Sequence, residues 1–296
     1  MDLVVANYNN GKFLPQLVES VRLQTSRDWQ LYIVDDFSSD DSNKYLKMFD
    51  DAPGITIIRL DQNHGATHAF KTGIEAGTSD LIGLIGADDA LIPEAIETMA
   101  LSFNANNETV LAYSECMDCD EHLNPIRKRD HAKPLDKGQP VFEQLYSIFN
   151  FIVFRRSAYE QTSGLDSSLR RAMDHDLLLK MDETGPFQFV SHTLYLYRTH
   201  ANGISQGNNW PIAELYSLKA RINAYNRRQT KPISRAAFKQ LKIKYHRRVL
   251  YLQQSLDNKP LSSHIIATLL LNPFEPFKSG LIRDALKSLL PQNSKR

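Results

Sequence analysis

Leu81-Ile82-Gly83-Leu84-Ile85-Gly86-Ala87-Asp88-Asp89-Ala90 is an apolar run that stops on two adjacent carboxylates. Residues 81–85 suit a strand buried on both faces. In open α/β sheets, ligands bind beyond the carboxyl ends of the strands. Two neighbouring aspartates at such a place repel one another and are costly to desolvate. A divalent cation shared with a phosphorylated ligand would relieve both costs. A solvated acidic turn capping the next helix is the competing reading of the same residues.

Working outward, strand and helix signals alternate through the first hundred residues. Residues 3–6 form a strand, followed by a helix with Pro15 in its first turn and Leu14, Leu17, Val18 and Val21 on one face. Residues 31–34 form a second buried strand ending at Asp35-Asp36, and Ser38 or Ser39 can cap the helix that follows, which buries Tyr45, Leu46 and Phe49. A third strand over 55–60 and a helix over 65–76 precede the opening run. Pro93 then starts a helix with Ile96, Met99, Ala100 and Phe103 inward. Strands separated by single helices predict an α/β fold with a parallel, right-handed sheet.

Beyond that the pattern changes. A strand is expected over 110–113, a loop or hairpin over 115–140, a helix over 142–149 and a strand over 151–154. A helix over 174–181 and a short strand over 194–197 close this part. Residues 203–211, rich in Gly, Asn and Ser, are the best boundary. The spacing then predicts one helix over 212–256 and two short ones over 261–271 and 279–290. The expected domains are therefore 1–205 and a helical region 206–296.

Composition bounds the function. The chain has 296 residues, 42% of them hydrophobic and 23% charged, as in a soluble protein with a real core. No run reaches the roughly 18 apolar residues of a membrane span, and the chain opens on a strand rather than a leader. Cys116 and Cys119 form a lone C-x-x-C, which lacks the further ligands of a metal site and suits buried thiols in a reducing, cytoplasmic compartment. Absence of G-x-G-x-x-G argues against dinucleotide binding. The net charge of +1 hides an asymmetry: residues 1–210 carry 18 basic and 30 acidic side chains, and residues 211–296 carry 17 and 4. Halves at −12 and +13 have different tasks.

Several short segments fall in order: Val5-Ala6-Asn7-Tyr8-Asn9, Val34-Asp35-Asp36-Phe37-Ser38, Asn63-His64-Gly65, Gly86-Ala87-Asp88-Asp89, Met173-Asp174-His175-Asp176 and Tyr197-Arg198-Thr199-His200. Together they resemble the family 2 inverting glycosyltransferases with the GT-A fold, of the bacterial surface-polysaccharide type, over residues 1–205. The resemblance implies an enzyme that moves a sugar from a nucleotide diphosphate-sugar donor, UDP-linked by preference, to a hydroxyl on a glycan or lipid-linked glycan acceptor. It places Ala6, Tyr8 and Asp36 at the nucleotide base. It places Asp88 at the metal and ribose, with Asp89 as second metal ligand and His200 at the metal or diphosphate. It makes Asp174 the catalytic base. The implied cofactor is Mn²⁺ or Mg²⁺, since carboxylates and a diphosphate suit hard cations. Two positions depart from the family pattern: Gly86 stands where members often have aspartate, and Phe70-Lys71 where they often have Arg-Asn. Lys71 either replaces that charge near the phosphates or is a solvated helix lysine. A GT-A-like protein that binds a nucleotide sugar without turnover is the alternative these departures leave open. A receiver-type signalling domain would begin at the strand ending in Asp35-Asp36, and a nucleotidyltransferase would carry a Gly-rich loop after strand one; neither fits.

The basic region offers three uses. Its Lys/Arg-rich helices and the apolar run 264–271 suit peripheral attachment to anionic lipid at the inner face of the plasma membrane. Pairing with a second subunit to form a homo-oligomer is another. Nucleic acid is not expected, because no reading motif accompanies the charge.

Overall fold

The computed structural model of the chain describes residues 1–169, 171–200, 210–255 and 262–271. Two compact units emerge, Met1–Gly203 and Ile204–Arg296. The first runs β1 (Asp2–Asn7), α1 (Leu14–Arg22), β2 (Gln30–Asp35), α2 (Ser42–Leu46), β3 (Ile55–Arg59), α3 (Ala66–Ala76), β4 (Leu81–Gly86), β5 (Ala90–Leu91) and α4 (Ala95–Ala105). It continues through β6 (Leu111–Cys119), β7 (Pro125–Lys128), α5 (Val141–Gln144), β8 (Ile152–Arg155), α6 (Arg156–Tyr159), α7 (Met173–Met181) and β9 (Phe187–Arg198).

Among the described residues, nine strands join one sheet in the order β3-β2-β1-β4-β8-β6-β9-β5, with β7 paired to β6. β3, β2, β1 and β4 are parallel, and β8 enters antiparallel to both β4 and β6. Leu3, Val4, Val5, Leu31, Ile33, Val34, Ile82 and Leu84 are all buried, which is why these strands read as continuous apolar runs rather than alternating ones. α1 seals one face with Leu14, Leu17, Val18 and Val21, each worth about 2 kcal/mol of apolar burial. α3 lies on the sheet through Gly73, where an added Cβ would sit 2.4 Å from Val4 Cγ1. In-register pairing of Ala6 with both Val34 and Gly86 brings the ends of β1, β2 and β4 to one edge. That edge carries the carboxylates.

Several expectations change. Ser38 and Ser39 do not cap α2; its N-cap is Asp41, with no side-chain cap bond. Ser38 Oγ instead donates to Asp35 Oδ1 (2.6 Å), so the serines brace the strand end. Tyr45 is only partly buried, and α2 stops at Leu46, short of Phe49. The strand expected over 110–113 continues to Cys119, and the one expected over 194–197 begins at Phe187. The two pair with each other in parallel, with register shifts at Ser114/Glu115 and Glu115/Cys116; the polar residues of both strands had masked them. The helix expected over 142–149 shortens to α5 and a 3₁₀ turn at Leu145–Ser147. Cys116 and Cys119 are buried free thiols at the end of β6.

The second unit contains α8 (Trp210–Arg227), α9 (Arg235–Ser255) and α10 (Ser262–Leu271). The single helix expected over 212–256 is broken around Pro232, where the Lys231 ammonium donates to the Tyr225 carbonyl (2.9 Å) near the end of α8. Glu214 on α8 binds Lys244 (2.8 Å) and Arg248 on α9, and Tyr225 stacks on Phe238 at 3.5 Å. The helix expected over 279–290 lies outside the described residues, as does most of the expected boundary at 203–211.

Candidate functional site

At the end of β1, Asn7 is fully buried and its Nδ2 donates to Asp35 Oδ1 (2.6 Å) and Ser42 Oγ (3.0 Å). Asn9 takes a left-handed backbone, φ 56°, which lets its Oδ1 accept the Ser39 amide N–H (2.8 Å). Tyr8 between them is 47% exposed, and Ala6 is half-buried. An exposed aromatic ring on a braced loop at a strand end is a surface on which a planar ligand can stack.

Asp36 is buried, and its two oxygens accept the amide N–H groups of His64 and Gly65, each at 2.7 Å. Gly65 adopts φ 91°, a conformation that favours glycine. Asp36 therefore ties the end of β2 to the start of α3, and a ring N–H would have to use its remaining lone pairs. Lys71 on α3 lies 3.8 Å from Glu75 and is 44% exposed, a surface i,i+4 pair.

The loop after β4 separates its two aspartates. Asp88 Oδ2 lies 2.8 Å from His200 Nε2, across 112 residues of sequence. Asp89 turns inward instead. Its Oδ2 accepts the Tyr195 hydroxyl (2.6 Å) and its Oδ1 the Arg198 amide N–H (2.8 Å). Burial, and then the neighbouring Asp88 charge, push the Asp89 carboxyl up to about 8, against the pull of those two hydrogen bonds. The expectation of Asp89 as a second metal ligand thus meets a carboxyl already enclosed by β9. Gly86 explains part of the geometry: a Cβ there would stand 2.5 Å from Asp89 Oδ2 and 3.0 Å from Asp88 Oδ1.

One carboxylate and one imidazole suit a hard or borderline cation that takes its other ligands from phosphate oxygens and water. Among the described residues no group of three or more His, Cys, Asp or Glu side chains converges.

Asp174 is exposed in the first turn of α7, where its Oδ1 accepts the His175 amide N–H (2.9 Å). Ala172 just ahead of that helix is left-handed, φ 55°, and sets the abrupt entry into α7. Asp176, two residues on, is buried and 2.6 Å from Lys180, whose ammonium also donates to the Gly164 carbonyl (2.6 Å). It fastens the preceding loop to the helix, in addition to sitting in the helix's first turn.

Sequence reasoning missed three participants. Tyr195 donates to Asp89 while its hydroxyl accepts the Gly86 amide N–H (2.9 Å). Arg198 contacts the Asp88 carbonyl, the Glu121 carbonyl and Gln16. Phe13 carries the His200 ring at 5.0 Å between centroids. Only the placement of Arg198 within a quoted motif could have flagged it.

Residues 2–202 match the family model for glycosyl transferase family 2. The chain is 26% identical over 216 residues to a chondroitin synthase of Escherichia coli, covering 73% of this chain and 30% of that protein. It thus spans under a third of that relative. S. aureus TarS 1–349, solved in complex with UDP, superposes with a TM-score of 0.68 at 12% identity, covering 97% of this chain and 90% of that one. A mannosyltransferase from Pyrobaculum calidifontis, solved with GDP-Man and Mn²⁺, superposes with a TM-score of 0.59 at 16% identity, covering 98% and 87%. At these identities the structural likenesses show the GT-A fold alone.

Proposed function

The chain belongs to glycosyl transferase family 2, and on that footing we propose that it transfers a sugar, with inversion, from a UDP-linked donor to a hydroxyl of a glycan or lipid-linked glycan destined for a surface polysaccharide. The observation that carries this reading is the meeting of Asp88 and His200 at the carboxyl edge of the parallel strands. Support for UDP comes from the TarS complex, and support for a glycan product from the similarity to a chondroitin synthase.

In this reading Tyr8 stacks on the base, with Ala6 and Asp36 lining it, and Lys71 faces the phosphates. Asp88 and His200 hold Mn²⁺ or Mg²⁺, which would supply positive charge to the leaving diphosphate. Asp89 stays behind them as a buried brace. Asp174 takes the proton of the acceptor hydroxyl as that oxygen attacks the anomeric carbon from the face opposite the diphosphate. Its task is placement, and the exposed first turn of α7 leaves the acceptor room to approach.

The test is UDP titration with and without Mn²⁺, followed by donor screening. Wild-type protein is expected to bind UDP more tightly with the metal, and Asp88→Ala to erase the difference. Equal affinities in wild type would sink the metal assignment. Asp174→Asn is expected to abolish transfer while leaving nucleotide binding intact; wild-type turnover by that variant would overturn the base. A protein that binds donor but turns over no acceptor would favour the non-catalytic alternative.

A second reading concerns location. Among the described residues no helix is long and apolar enough to cross a membrane. Ile266 and Leu270, four apart on α10, are 55% and 79% exposed, and α9 presents exposed Arg235 and Lys239. This combination supports peripheral attachment to anionic lipid on the cytoplasmic side of the membrane.

A further inference from the structure

The geometry points to Arg198 as a positioning residue that sets the Asp88–His200 pair from behind. Arg198 is 1% exposed, and all three of its guanidinium nitrogens donate. Nε donates to the Asp88 carbonyl, Nη1 to the Glu121 carbonyl, and Nη2 to Gln16 Oε1 at 2.9 Å. The guanidinium lies 4.4 Å over the Phe13 ring, the same ring that carries His200. The Arg198 main chain bonds Asp89 (2.8 Å), and His200 follows two residues later.

One side chain therefore joins four segments: the start of α1, the loop after β4, the turn after β6 and the end of β9. Arginine suits this place because its rigid, planar fork reaches several acceptors at once and never loses its charge. The buried cation also lies beside the Asp88-Asp89 pair and attracts both. Groups that orient a metal ligand from outside its shell change metal affinity by about 10- to 100-fold when removed.

The inference rests on the reading that Asp88 and His200 receive the donor's diphosphate with a cation, so its test has one arm that needs neither. In the full chain, hydrogen exchange of the segments 86–92 and 196–200 is compared between wild type, Arg198→Lys, Arg198→Met and Gln16→Ala. UDP is titrated in parallel with and without Mn²⁺. Both Arg198 variants are expected to speed exchange in these two segments selectively. They should raise the Mn²⁺ concentration that half-saturates UDP binding by about tenfold or more, with metal-free UDP affinity unchanged. Arg198→Lys should fail like Arg198→Met, because an ammonium cannot span three separated acceptors. Gln16→Ala, a change at an exposed residue, should act in the same direction but more weakly.

Unchanged exchange at 86–92, rescue by lysine, or an equal loss of UDP affinity with and without Mn²⁺ would overturn the assignment. Should the Arg198 variants fail to fold, wild-type exchange and metal response in Gln16→Ala would overturn it. If wild type binds UDP no better with Mn²⁺, the metal reading falls and the exchange result alone decides Arg198.

Discussion

Gly86 occupies a position where a single methyl group has nowhere to go. The Cβ of an alanine there would press on the Asp89 carboxylate, which Tyr195 and Arg198 hold from the other side. Gly86→Ala should therefore destabilise the protein by about 2 kcal/mol, as overpacking in a braced site does, measured by urea unfolding. A value near zero would mean that the Asp89 carboxyl can turn aside. At this scale the sequence was informative about residue types and silent about direction. Asp88, Asp89, Asp174 and His200 all stand out in the linear text. Which of two adjacent carboxylates faces outward is decided by groups more than a hundred residues away, and no local pattern encodes their direction.

Between elements, the clearest dependence on conditions lies in the second unit. His246 on α9 and His264 on α10 face each other, Nδ1 to Nδ1, at 2.8 Å. Burial lowers both imidazoles below the ordinary 6.5, and for His246 the neighbouring His264 and Lys242 add to it. The unfolded chain then binds more protons than the folded one, so stability rises with pH up to about 6.5 and is lost on acidification below it. Helical stability of the full chain should fall between pH 7 and pH 5, followed by far-UV circular dichroism in urea. The pH slope should shrink in the double variant His246→Asn/His264→Asn; a pH-independent wild type would exclude the pair as its source. The helices and parallel strands of the first hundred residues were legible because apolar periodicity is strong there. β6 and β9 were underestimated because they are half polar and paired through irregular register, so alternation broke down. The break around Pro232 was written in the sequence, yet the helical spacing on both sides overrode it.

Over the whole molecule, charge is distributed unevenly: −12 over residues 1–210 and +13 over residues 211–296. If the basic region meets lipid, the full chain should float with vesicles of phosphatidylglycerol and phosphatidylcholine but not with phosphatidylcholine alone. Binding should weaken when salt is raised from about 0.1 M to 0.5 M, as screening shortens the reach of surface charges. Adding Ile266→Asp and Leu270→Asp should weaken it further. Binding indifferent to lipid charge and salt would refute the electrostatic part of that reading.

The sequence by itself determined the parallel core, the strand-end location of the acidic residues and the family, because each is written in short segments whose spacing survives without knowledge of contacts. Only the tertiary structure decided that Asp89 turns inward and that Arg198 sits behind the Asp88–His200 pair. The reason is physical: hydrogen bonds and burial between residues over a hundred positions apart depend on how β4, β9 and α1 are brought together. The run from Leu81 to Ala90 announces a site; the end of β9 selects which of its two carboxylates is presented.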